Sequence, residues 1–143
     1  MPTDRAWKAL NAMHRTVAKL TFGRKGWTAS EMPVVALTTI GRKTGRPRTV
    51  MLTSPVQEAG VWVVVASRGG DDHHPAWFLN LRDHPDVEVR VQGAAPQPMR
   101  ARVASAEERT RLWPQVTTAY PHYASYQEKT DREIPLVLLE PRR

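Results

Sequence analysis

The stretch LTTIGRKTGRPRTVML, residues 37–52, sets two apolar, β-branched runs on either side of a short link that holds Arg42, Lys43, Arg46 and Arg48 and no acid. The runs have strand composition, and the link is too short for a crossover helix, so the two strands are expected to be antiparallel neighbours. Four like charges repel one another, so the folded state gains little from gathering them. Gly41 and Gly45 are read as supplying positive φ, which lets the chain turn sharply and would expose backbone N–H groups. Concave backbone donors edged by guanidinium groups describe an anion cradle. The alternative is a plain hairpin turn with solvated charges. A Walker loop is ruled out, because Arg42 stands where that motif needs Gly directly before Lys-Thr.

Outward from this hairpin the chain reads as mostly strand. The first run starts after Pro33 as Val34–Ile40 and the second is Thr49–Val56. Val61–Ser67 is nearly all apolar, as in a strand buried on both faces. Val87–Val91 and Met99–Val103 flank the GAAPQP link, and Leu136–Leu139 is the last strand. Helices are expected at Trp7–Leu20, where apolar residues recur at three- and four-residue steps up to a stop at Gly23, and from Pro75 to about Asp83. Ser105 and Glu108 form a capping-box pattern that starts a third helix, running to about Leu112. Pro114 should kink or restart it, and a short helix follows near residues 124–130. About six strands with three or four helices and short early links describe an α+β fold, a mostly antiparallel sheet or small barrel. The chain is read as one domain, an N-terminal amphipathic helix and loop over 1–33 leading into the sheet domain over 34–143.

Composition narrows the chemistry. With 143 residues the chain can bury a core, and 41% hydrophobic content argues against disorder. The absence of cysteine excludes disulfides, thiolate metal sites and a cysteine nucleophile. The first ten residues carry charge and no apolar core segment, so no signal peptide is expected and the default is a cytoplasmic protein. The stripe over residues 5–22 leaves peripheral contact with the inner membrane face open, against a cap over the barrel. Residues 1–50 hold ten Lys and Arg against Asp4 and Glu31, whereas residues 51–143 hold eleven against twelve acids. The formal +7 therefore belongs to the first third of the chain, and an anionic partner is expected there.

Further candidates follow the hairpin. In ASRGG, Ala66–Gly70, a small hydroxyl residue at a strand end and paired glycines would let a planar ligand approach the backbone. In PAWFLNL, Pro75–Leu81, Trp77 and Leu81 should face the core while Asn80 could aim its amide at a site. All three tyrosines, Tyr120, Tyr123 and Tyr126, fall in YPHYASY and could line a cavity or fill the core. His73 and His74 are adjacent and would diverge, with no HExxH pattern, so no metal site is expected. No nucleophile elbow is present.

Several of these stretches together, LTTIGRKTGRPRTVML, VVASRGG, HPAWFLNLRDHPDVEV, EERTRLWPQV and YPHYASYQEKTDREIPLVLLEP, resemble the deazaflavin-dependent nitroreductase family, small actinobacterial proteins that use reduced coenzyme F420. The similarity runs over roughly residues 34–141 and is weak before them. It implies a split β-barrel related to the FMN-binding flavin reductases and a coenzyme that carries a phosphodiester and an oligoglutamate tail. The family's basic loop falls on Arg42, Lys43 and Thr44, continuing at Arg48, Thr49, Val50, Met51 and Leu52. The stretch like its ring shelf is Val65, Ala66, Ser67 and Arg68, and the helix start that closes over the ring is Ala76, Trp77, Phe78, Leu79 and Asn80. Tyr123 would also touch coenzyme. Thr53, Ser67, Tyr120, Tyr123 and Tyr126 correspond to the acceptor side. Relatives that activate nitroimidazoles often carry an aromatic residue where Thr53 stands.

The reaction so implied is hydride transfer from reduced F420 to an electron-poor small molecule. Quinones, α,β-unsaturated esters and lactones such as coumarins and aflatoxin-like furanocoumarins, and nitroaromatics are the expected acceptors. Ser67, Tyr123 and Tyr126 are the candidate catalytic residues, as hydroxyls that could stabilise an oxyanion or donate the final proton. Rival readings are an FMN-dependent flavin reductase on the same fold and a basic nucleic-acid-binding module. The latter is not expected, and the chain is expected to be a monomer or homodimer.

Overall fold

The computed structural model describes residues 28–29 and 32–142. The expected helix over Trp7–Leu20, and with it any membrane contact of residues 5–22, lies outside the described residues. All six expected strands form, as β2 (Met32–Ile40), β3 (Pro47–Thr53), β5 (Val61–Val65), β6 (Asp86–Arg90), β7 (Gln97–Val103) and β8 (Leu136–Pro141). Two short strands join them. β1 (Thr28–Ala29) pairs with Met32 and Pro33 inside the stretch read as a loop, and β4 (Val56–Glu58) pairs with β5.

Every pairing is antiparallel, in the order β3-β2-β6-β7-β8-β5-β4, with β1 also on β2. The second run of the opening stretch ends early because Ser54 and Pro55 interrupt it. Pro55 has no ladder donor, and the fully buried Ser54 turns its hydroxyl onto the Val63 carbonyl at 2.7 Å. That bond ties the end of β3 to β5, the far side of the sheet order, and helps close the barrel.

Alternation along the strands sorts side chains into two layers. Val35, Leu37, Val64, Ala66, Val87 and Val89 enter the barrel interior with Val137 and Leu139, and helix α1 (Ala76–Asp83) plugs it with Trp77, Phe78 and Leu81. Val63, Val65, Leu136 and Leu138 face outward. They are covered by Leu112 and Val116 of α2 (Ala106–Ala119) and Tyr123 of α3 (His122–Glu128). Burial on both faces explains the unbroken VWVVV run.

The capping box of α2 forms as expected, with Glu108 N–H donating to Ser105 Oγ at 3.2 Å and Ser105 N–H to Glu108 Oε1 at 2.9 Å. Glu108 also takes a bidentate pair from Arg102, and these bonds hold its carboxyl down to about 2. The helix does not restart at Pro114, and α2 continues to Ala119. Pro114 and Thr110 are both exposed, so water can replace the N–H that the Thr110 carbonyl loses. Buried Leu112 and Val116 on the other face keep the helix on the sheet.

Candidate active site

The basic link is a tight turn closed by its own backbone. Gly41 N–H donates to the Arg46 carbonyl and Gly45 N–H to the Gly41 carbonyl, both at 2.8 Å, and Arg46 N–H donates to Thr44 Oγ1 at 3.2 Å. The expectation of exposed backbone donors is thereby narrowed. Three of the six N–H groups over 41–46 are used inside the turn, that of Arg42 goes to Asn80, and those of Lys43 and Thr44 have no partner among the described residues. The reading of the glycines is also corrected in part. Gly45 has φ +71°, but Gly41 is needed for closeness, since a Cβ there would stand 2.7 Å from Thr44 Oγ1. Arg42, Lys43, Thr44, Arg46 and Arg48 are exposed, and none of the four cations has a carboxylate partner among the described residues.

Asn80 fixes this turn to α1. Its buried carboxamide accepts from Arg42 N–H at 3.1 Å and donates to Thr39 Oγ1 at 3.2 Å. A backbone N–H can only donate, so the oxygen must face Arg42 and the amino group Thr39. Behind the turn Thr38 and Thr49 share a hydroxyl bond of 2.8 Å across β2 and β3. Val50 and Leu52 are half-buried against the interior, while Met51 faces outward with Val34 and Ala36.

The shelf candidates lie where β5 ends. Val65 and Ala66 are buried, and Ala66 N–H is held by the Pro135 carbonyl at 3.0 Å. Ser67 is 9% exposed, yet among the described residues its hydroxyl has no partner. A buried polar group left unpaired is uncommon and marks a place where something else can bind. Arg68, Gly69 and Gly70 then turn with φ of 46°, 64° and 86°. A Cβ on Gly70 would lie 2.6 Å from the Tyr126 carbonyl, so this turn sits directly on α3. Along α1, Trp77 and Phe78 are buried, Leu79 is half-buried and Ala76 exposed.

The tyrosines divide. Tyr123 is buried, with its hydroxyl 3.0 Å from Thr53 Oγ1 and 3.7 Å from Met32 Sδ, and burial raises its phenol above the ordinary value. Tyr120 and Tyr126 are half-buried. Thr53 and Tyr123 thus join the end of β3 to α3. His122, absent from the expected set, completes this wall. Its ring lies 4.2 Å from that of Tyr123 and 5.4 Å from that of Tyr126, and burial lowers its pKa. Arg132 is a further residue the sequence did not single out, and His74 was weighed there only as a metal ligand. Arg132 donates to the carbonyls of Ser67 and Asp71 and to His74 Nδ1. Among the described residues no group of His, Asp and Glu is gathered for a metal, and no helix is long and apolar enough to cross a membrane.

The basic turn, without carboxylate partners among the described residues, joins β2 to β3, the orphaned Ser67 hydroxyl follows β5, and the aromatic wall meets the far end of β3 at Thr53. Residues 11–141 match the sequence model of the F420H(2)-dependent quinone reductases. The chain belongs to that family. The match begins well before residue 34, where the resemblance was expected to start. An F420H(2)-dependent quinone reductase of Mycobacterium tuberculosis is 35% identical over 133 residues, 89% of this chain and 87% of the relative. A solved F420-H2 dependent reductase is 43% identical with a TM-score of 0.67, covering 76% of this chain and 94% of that one. Another solved structure, 39% identical with a TM-score of 0.68, is a domain-swapped dimer and covers 90% and 96%. A member of the pyridoxinephosphate oxidase family from Clostridium acetobutylicum, 8% identical with a TM-score of 0.51, shares the split-barrel fold. The chain is therefore an oxidoreductase of an F420H(2)-dependent family, with reduced F420 as its cofactor. The residues present fit that group. Exposed cations without carboxylate partners among the described residues suit its polyanionic tail, and the Ser67 hydroxyl, unpaired among those residues, suits a polar ring edge.

Proposed function

We propose that this chain reduces quinones with F420H(2), and that α,β-unsaturated lactones and nitroaromatics are further acceptors. The observation that carries the reading is the Gly41–Arg48 turn, whose four exposed cations have no carboxylate partner among the described residues. Arg42, Lys43, Arg46 and Arg48 would hold the phosphodiester and glutamate carboxylates through charge-assisted bonds. Thr44, Thr49, Val50, Met51 and Leu52 would support the coenzyme along β3. Val65, Ala66, Ser67 and Arg68 would form the shelf, and Ala76, Trp77, Phe78 and Leu79 the closing helix.

Reduced F420 supplies a hydride when bound. The chain's own task is to seat a planar acceptor beside it with its carbonyl oxygen near a donor. The Ser67 hydroxyl, which has no competing partner among the described residues, is the donor this reading favours for the developing oxyanion. Tyr126 and Tyr120 would flank the acceptor and leave proton donation to Tyr126 or water. Tyr123 is engaged with Thr53, and that bond supports an orienting role for both residues on the acceptor side. The domain-swapped relative supports a homodimer for this chain as well.

Anaerobic stopped-flow oxidation of F420H(2) by quinones, coumarins and nitroaromatics, with FMN as a control coenzyme, tests the proposal. Quinones should turn over fastest. Lys43→Ala should raise the coenzyme Kd about ten-fold, near 1.4 kcal/mol, with little change in kcat. No association with F420 at tens of micromolar by calorimetry would end the reading.

A further inference from the structure

We propose that Arg132 is a positioning residue of the active site, a single guanidinium that clamps the Ala66–His74 segment in the shape that receives the coenzyme ring. This rests on the assignment of that segment to the ring made above. Arg132 reaches in from the connection between α3 and β8. Its Nη2 donates to the carbonyls of Ser67 at 2.9 Å and Ala66 at 3.3 Å, its Nε to the Asp71 carbonyl at 2.8 Å, and its Nη1 to His74 Nδ1 at 3.2 Å. One planar fork thus holds both ends of the turn and the residue that leads into α1. A lysine ammonium, a point charge on a flexible stem, has no such geometry.

The segment needs a clamp. Arg68, Gly69 and Gly70 are three successive residues in the left-handed region, and a non-glycine residue there is strained. Such a conformation persists only when its surroundings over-determine it. The Arg68–Asp71 ion pair at 3.6 Å and the Gly70 N–H bond to the Ser67 carbonyl at 2.9 Å are local to the turn, whereas Arg132 ties it to the connection between α3 and β8. It is itself held, its carbonyl accepting from Gln127 Nε2 at 2.7 Å while Gln127 Oε1 accepts from Ile134 N–H at 2.9 Å. The clamp therefore connects the tyrosine-bearing helix to the strand end that carries the unpaired Ser67 hydroxyl.

His74 makes the fourth contact specific. Because Arg132 has only donors, Nδ1 must accept, which keeps the ring neutral with its proton on Nε2. Burial and the adjacent guanidinium lower the His74 pKa in the same sense. The ring also lies 4.6 Å from that of Phe78, so the clamp extends into α1. Arg132 would act through Ser67 and the turn, without touching the acceptor.

The test uses full-length wild-type, Arg132→Met and Arg132→Lys proteins. It measures the melting temperature, F420 affinity, the absorption band of bound F420, and kcat and KM with a benzoquinone, well below the melting transition. Arg132→Met should keep F420 affinity within about three-fold, because the basic turn is untouched. Its kcat should drop on the order of a hundred-fold, the cost of about 1 Å of misplacement, and the bound-coenzyme band should shift. Arg132→Lys should recover only part. A merely structural arginine would lower the melting temperature and leave the band and kcat alone, and that result overturns the assignment. Should Arg132→Met not fold, Arg132→Lys decides with hydrogen exchange. Faster exchange across residues 66–74 with a lowered kcat supports the clamp, and a wild-type kcat overturns it. A wild-type protein that binds no F420 removes the functional reading and the clamp together. Wild type and variants that bind and turn over alike remove the clamp alone.

Discussion

Asn80 has one end of its carboxamide on the Arg42 N–H and the other on the buried Thr39 hydroxyl. Thr39 is 1% exposed, so losing its partner leaves a buried oxygen with no water to take over. The consequence for the site is indirect, because what Asn80 holds is the turn that carries the cations. Asn80→Ala should cost about 1–3 kcal/mol of stability, the penalty of unpaired buried groups, and should weaken F420 binding although no charge has been removed. Asn80→Asp keeps an acceptor for Arg42, and the Thr39 hydroxyl can reverse and donate to the new carboxylate, so much of the loss should return. Chemical denaturation and calorimetric titration of the three proteins check this. An alanine variant of unchanged stability and affinity would show that the turn holds its shape without α1.

At the scale of elements, α2 carries an expense its sequence advertises and its packing tolerates. Pro114 removes one helical hydrogen bond in the interior of a 14-residue helix. Pro114→Ala should restore that bond and add about 1–3 kcal/mol, raising the melting temperature by several degrees for a chain of this size. Thermal unfolding followed by circular dichroism measures it. No gain would mean that the helix has already relaxed around the ring. The same helix marks what could be read in advance. Its start was legible because Ser105 and Glu108 satisfy each other locally, whereas its continuation past Pro114 depends on Leu112 and Val116 meeting β5 and β8. Strands were legible wherever β-branched residues ran together. The end of β3 was not, because it is decided by a hydroxyl bond from Ser54 to Val63. Arg132 had no sequence signal at all, since its acceptors stand 58 to 66 residues away along the chain. The basic turn was the reverse case, visible in composition alone, but the local bonds that take the N–H groups of Gly41, Gly45 and Arg46 were not.

For the whole molecule the proposed function makes coenzyme binding an electrostatic event, because the Gly41–Arg48 turn that would hold it carries four exposed cations. A ligand that binds only the folded state raises stability by RT ln(1 + [L]/Kd), about 2.7 kcal/mol at a hundred times Kd. If the exposed turn grips a polyanion, salt should erode that gain, because the screening length falls from about 10 Å at 0.1 M to about 3 Å at 1 M. The rise in melting temperature produced by a fixed concentration of F420 should therefore shrink as sodium chloride increases. It should shrink more steeply for coenzyme with a longer glutamate tail. The ring-and-ribityl fragment, lacking the phosphodiester and glutamates, should give a small rise that is almost indifferent to salt, since it would meet only the shelf and α1. Replacing both Lys43 and Arg48 with Ala should bring the intact coenzyme close to that behaviour. Thermal shifts measured across this matrix of salt and ligand separate the two halves of the site. A stabilisation by intact F420 that ignores salt would mean that the crowded cations serve some other anion, and that the ring alone supplies the binding.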